Sequence, residues 1–214
     1  VNALGVDKLP RQAALASLLQ ELGYALDPDA NMPSAMGGDS VAAYRLAQRL
    51  GGKNPALLNN LANGLQVRTG EIEAAEAAYR SAIQLDPKYA LPHNGLCLLY
   101  QFHLDRPEAA ADEIAVALQI DPSSSNAHET RGLLLEEQGQ FQSAAASFEE
   151  GLRHKPAELD NTVGVAWIAL QSGGDIAEAR KALGCLSAAD RDKPQARLVD
   201  AAVRAWEGDW PAAQ

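Results

Sequence analysis

From Phe141 to Leu152 apolar and small residues return at every third or fourth place: Phe141, Ala144, Ala145, Phe148, Gly151 and Leu152. A helix turns once in about 3.6 residues, so these positions share one face. A similar segment precedes it from Asn126, and Gly139 marks the turn between the two. Pro156 cannot continue a helix and closes the pair. Gly151 lies mid-helix, where glycine costs about 0.8–1 kcal/mol against alanine. A neighbouring helix lying too close for a side chain is the expected compensation.

The pattern recurs. Tyr79, Ala82, Leu85, Asp86 and Pro87 correspond to Ile114, Ala117, Ile120, Asp121 and Pro122, a shift of 35, and the step from Pro122 to Pro156 is 34. Repeats of this length are helical hairpins that bury their apolar faces only by stacking. His128, Arg131, Gly132, Leu135, Ala144, Phe148 and Pro156 fall at the spacings of the tetratricopeptide repeat, which the chain resembles over roughly residues 40 to 210. His128 replaces the family's aromatic and Arg131 its leucine. The resemblance implies an all-α fold, an α-solenoid of stacked helix-turn-helix hairpins wound into a right-handed superhelix with a concave groove.

Residues 1–53 read as a divergent hairpin. Its first helix, entered near Pro10, carries Leu15, Leu18, Leu19 and Leu22 on one face; a loop over 27–38 holds Met32 and Met36. Asp39 or Ser40 is expected to cap its second helix, which stops at Gly51-Gly52. The array then occupies 54–214, with repeats at about 54–87, 88–122, 123–156 and 157–193 and an incomplete one at 194–214. In the fourth, Val163, Gly164 and Trp167 take the Leu-Gly-Tyr slots, and its greater length predicts an insertion in helix A or the turns. The fifth has its turn at Gly208-Asp209-Trp210 and scarcely begins a second helix, so the chain is expected to be cut from something longer or to pack its end on a partner.

Composition narrows the functions. Among 214 residues, 18 Lys and Arg face 28 Asp and Glu, a net charge of −10 with no basic stripe. That disfavours nucleic acid and anionic membrane surfaces as partners. Apolar content of 47% and mean hydropathy of −0.20 come without any run long enough to span a bilayer. Cys97 and Cys185 fall on helices of different repeats and are not expected to pair. The compartment is not legible.

No catalytic motif is present, neither Gly-x-Ser-x-Gly, a phosphate loop nor His-Glu-x-x-His, and a non-catalytic protein without cofactor is expected. Gly37-Gly38-Asp39-Ser40 reads as a loop and helix cap, since its acid would repel a phosphate. His93 and Cys97 have metal-ligand spacing, but structural zinc wants four ligands and no further cluster accompanies them, so no metal site is expected. Arg131 reads as a snorkelling guanidinium or one paired with an acid.

In the tetratricopeptide family the first helix of each hairpin, helix A, lines the groove. Three slots per helix are carried over by resemblance: Asn59, Asn94, Glu129 and Asn161; four residues on, Asn63, Leu98, Leu133 and Val165; three further, Gln66, Gln101, Glu136 and Ile168. Phe102 closes one wall. Side-chain amides both donate and accept, so they suit the main chain of an extended peptide. None of these slots is basic, which disfavours clamping of a terminal carboxylate, and the glutamates favour a neutral or basic segment. The expected function is a protein-interaction scaffold that binds a peptide or partner helix. Three alternatives stand beside it: the adaptor domain of a larger enzyme, a bacterial envelope or pilus assembly factor, and a scaffold that self-assembles through Trp206 and Trp210 at an uncapped end.

Overall fold

The structure, a computed structural model, describes residues 8–26 and 37–207. Residues 27–36, with Met32 and Met36, and 208–214, with the expected terminal turn, lie outside the described residues. Every regular element among the described residues is helical. The chain divides into two compact units, residues 1–116 and 117–214.

In the first unit α1 (Lys8–Leu26) packs on α2 (Gly37–Arg49), and α2 on α3 (Pro55–Gly64). The leucine face expected on α1 is not its buried face. Ala16 is buried, while Leu15, Leu18 and Leu22 are exposed; the small residue lets the helices approach and leaves the leucines outside. Helix α2 begins at Gly37, ahead of the expected cap. At α3, Asn54 caps through a 2.8 Å bond from the Ala56 N–H, and Pro55 fills a first-turn position that lacks a partner anyway. The hairpin partner α4 (Ile72–Leu85) and then α5 (Ala90–Phe102) follow, with Leu57, Tyr79, Ala82, Leu96 and Leu99 in the core. Gly95 makes room for Tyr79, whose ring would stand 2.4 Å from a Cβ there.

Helix α6 (Pro107–Ile120) contains the boundary between the units. The second unit continues with α7 (Ser125–Glu137), α8 (Phe141–His154), α9 (Leu159–Gly173), α10 (Ile176–Gly184), the four-residue α11 (Ala188–Arg191) and α12 (Pro194–Trp206). Phe148 is fully buried between two glycines: a Cβ at Gly132 would lie 2.5 Å from its ring and one at Gly164 2.7 Å. A second cluster joins Ala166, Leu170, Ala179, Leu183, Val199 and Val203. The extra residues of the fourth repeat lie in α9, 15 residues long, and in α11 after a shortened α10.

One feature keeps the hairpins in phase. The four A-to-B turns between α3 and α10 each have a left-handed residue, Gly70, Asp105, Gly139 or Gly174. Five residues on stands a fully buried alanine of the following helix: Ala75, Ala110, Ala144 or Ala179. Within the first of these hairpins, Leu65–Thr69 widens into a π turn closed by Gly70. A widened turn takes up an extra residue without disturbing the helix that enters it.

Candidate interaction surfaces of the two units

Helix α3 touches α5, and α7 touches α9, so each unit holds two neighbouring A helices. On α3, Asn59 is buried, with its Nδ2 donating to Asn60 Oδ1 at 3.2 Å and its Oδ1 without a hydrogen-bond partner. Asn63 and Gln66 are half-buried, and Tyr79 Oη reaches both, Gln66 Oε1 at 3.1 Å. A phenol has one proton, so it donates to one of these two amide oxygens at a time. Burial holds the Tyr79 phenol well above its ordinary pKa, so that proton stays in place.

On α5 the stripe Asn94, Leu98 and Gln101 is half-buried, and Phe102 at its end is 51% exposed. Asn94 Oδ1 and Gln101 Oε1 face inward with no donor. The opposite face of the same helix is core. There His93 Nδ1 meets Glu113 at 2.6 Å, and the buried Cys97 thiol is pushed up to about 12, first by burial and then by the charge of Glu113. His93 and Cys97 thus belong to the packing face.

In the second unit, Glu129 and Glu136 are half-buried on α7. Burial, reinforced by Asp160 and Glu158 and opposed by Lys155, pushes the Glu129 carboxyl up to about 8. Burial also raises Glu136, although it accepts bonds from Gln171 and from Trp167. Leu133 packs on the Phe148 cluster, as does the half-buried Val165. Arg131 donates through Nε to Ser147 Oγ at 3.0 Å, a hydroxyl in place of the acid.

The structure places Asn161 and Ile168 in the interior, 0% and 2% exposed. Asn161 Nδ2 donates to Ser125 Oγ and Glu158 Oε2, both at 3.0 Å, and its side chain occupies the space above Gly151. The cause is a register difference of two residues. In α9 the residue that packs within its own hairpin is Ala166, clustered with Ala179 and Leu183 of α10, while Gly164 lies against Phe148 of the preceding helix. The half-exposed stripe of α9 is therefore Val163 and Trp167, next to the exposed Gln171. A step of 34 from α7, the step between Pro122 and Pro156, leads from Gly132, Glu129 and Leu133 to Ala166, Val163 and Trp167; counting forward from Gly164 does not.

Residues 56–89 match the family model described as tetratricopeptide repeat. That segment is a tetratricopeptide repeat, and the chain shares the fold of a solved tetratricopeptide-repeat protein. No curated protein sequence matches it. Among solved structures, PilF of Pseudomonas aeruginosa aligns with a TM-score of 0.71 at 18% identity, covering 93% of this chain and 87% of that one. PilW, described as a widely conserved type IV pilus biogenesis factor, gives 0.69 at 19% identity over 91% and 86%. A thermophilic TPR protein of Thermus thermophilus gives 0.70 at 17% identity over 90% and 98%. These likenesses show the fold. No helix among the described residues is long and apolar enough to cross a membrane.

Proposed function

We propose that the protein is a non-catalytic interaction scaffold that binds an extended peptide segment or a partner helix on its A-helix stripes. The carrying observation is the pair of donor-less amide oxygens on α5, Asn94 Oδ1 and Gln101 Oε1, flanking Leu98. A buried acceptor without a donor costs about 1–3 kcal/mol. Turning either amide outward to accept a main-chain N–H recovers part of that, and Leu98 with Phe102 offers apolar surface for a side chain. The half-buried Glu129 and Glu136 of the second unit favour a neutral or basic segment there.

Selection from a random peptide library tests the reading on α5. Enriched peptides should lose binding to the Asn94→Ala/Gln101→Ala variant while its helicity stays that of the parent. Peptides that bind the variant equally well would remove α5 from the interface.

A second reading sets this scaffold in bacterial surface assembly, supported by the fold shared with PilF and PilW along most of each chain. A deletion strain of the source organism that lacks pili would support it, and a fully piliated one would end it.

A further inference from the structure

We propose that His128, Glu150 and His154 form a binding site for one divalent late first-row transition ion, of which zinc is the probe. One ring nitrogen of each histidine and one carboxylate oxygen of Glu150 lie within 4.8 Å of one another. The two imidazoles are stacked at 5.7 Å between centroids, with 17° between their planes. They come from both helices of one hairpin: His128 from α7, Glu150 and His154 one turn apart on α8.

The buried member sets the chemistry. His128 is 5% exposed, and its Nε2 lies 2.9 Å from the Pro122 carbonyl oxygen. A carbonyl only accepts, so Nε2 carries the proton and Nδ1 carries the lone pair. Nδ1 is itself buried and has no hydrogen-bond partner. A histidine whose second ring nitrogen donates to a backbone carbonyl is oriented and held in the tautomer that a metal ligand requires.

The other two ligands are adjustable. His154 Nε2 lies 3.3 Å from Glu150 Oε1, and Arg153 pairs with the other carboxylate oxygen, Oε2, so Oε1 is the oxygen on the histidine side. His154 is exposed and Glu150 half-buried. Tetrahedral bonds of about 2.0–2.1 Å set ligand separations of roughly 3.3 Å, so binding requires these two side chains to rotate inward. Coordination through His154 Nε2 leaves its ring proton on Nδ1. Two imidazoles and one carboxylate suit zinc, copper or nickel over calcium or magnesium, and a fourth position stays open to water or to a donor from another molecule.

Zinc titration by calorimetry on tag-free, chelator-treated protein tests the site, in a Cys185→Ser background because Cys185 is an exposed thiol. One ion per chain is expected. Glu150→Gln and His154→Ala should each weaken binding by about tenfold or more, with the circular dichroism spectrum of the parent retained. Cobalt added in place of zinc should give visible ligand-field bands that His154→Ala abolishes. Absence of a one-to-one isotherm, or binding in either variant equal to the parent, would overturn the proposal.

Discussion

The carboxamide of Asn161 sits where Gly151 has no side chain: a Cβ at residue 151 would stand 2.5 Å from Asn161 Oδ1. The same amide bonds to Ser125 at the start of α7 and to Glu158, which caps α9. One polar side chain thereby links three helices, and the glycine on the middle one is the condition for it.

Gly151→Ala should lower stability by about 1–3 kcal/mol through this overlap. The loss should shrink when Asn161→Ala is also present, since that change frees the space. Urea unfolding of the two single variants and the double measures the coupling. Strict additivity would reject the steric account.

Asp105 is the non-glycine member of the left-handed turn series, at φ 50°. A left-handed backbone costs an ordinary residue about 1–2 kcal/mol, and Asp and Asn less. Nothing would stand within 4 Å of a Cβ at Gly139, so backbone strain alone acts there. Gly139→Ala should cost about 1 kcal/mol once the stiffer unfolded chain is counted, and Gly139→Asn clearly less. Thermal unfolding of both variants checks the order.

Glu129 makes stability depend on pH. Its carboxyl titrates at about 8 when folded and near 4.5 otherwise, so the folded state binds the proton more tightly over that interval. Stability from this group is full below the lower value and is lost as pH rises through about 8. Glu129→Gln should flatten that fall and raise Tm most at alkaline pH. A parent Tm that climbs from pH 5 to 8 because of this residue would contradict the sign. A basic peptide bound beside Glu129 should bind more tightly as pH rises, because the ionised carboxylate is the form it attracts.

The two thiols should react at different rates. Cys97 is buried, with its thiol pushed up to about 12, whereas Cys185 is exposed. The thiolate is the attacking species, so a disulfide reagent should modify one thiol at once and the second only on unfolding.

Much of the fold was legible because hairpins announce themselves locally. Apolar spacing, prolines and left-handed glycines all fall within one repeat, and the near-constant step from Pro87 to Pro122 to Pro156 set the phase for three hairpins. Gly151 even signalled a close neighbour, although the neighbour is a side chain and not a bare helix. The site was harder to read. Val163-Gly164 mimics the Leu-Gly slot two residues too early: Gly164 faces Phe148 of the preceding helix, and only the contacts with α10 reveal Ala166 as the packing residue within the hairpin. That shift placed Asn161 and Ile168 on the partner side and hid Trp167. The leucines of α1 misled for a related reason: periodicity shows that a face exists, and it does not say whether anything covers it. The meeting of His128 with His154 depends on where one helix crosses another, which spacing along either helix does not contain.

The widened turn at Leu65–Thr69 also bears on how such a chain changes length. A residue gained or lost there is absorbed as a loosening or tightening of one coil, and the side chains before and after it keep their bearings. Hairpins of unequal length can thus stack on the same neighbours, with the difference confined to one coil.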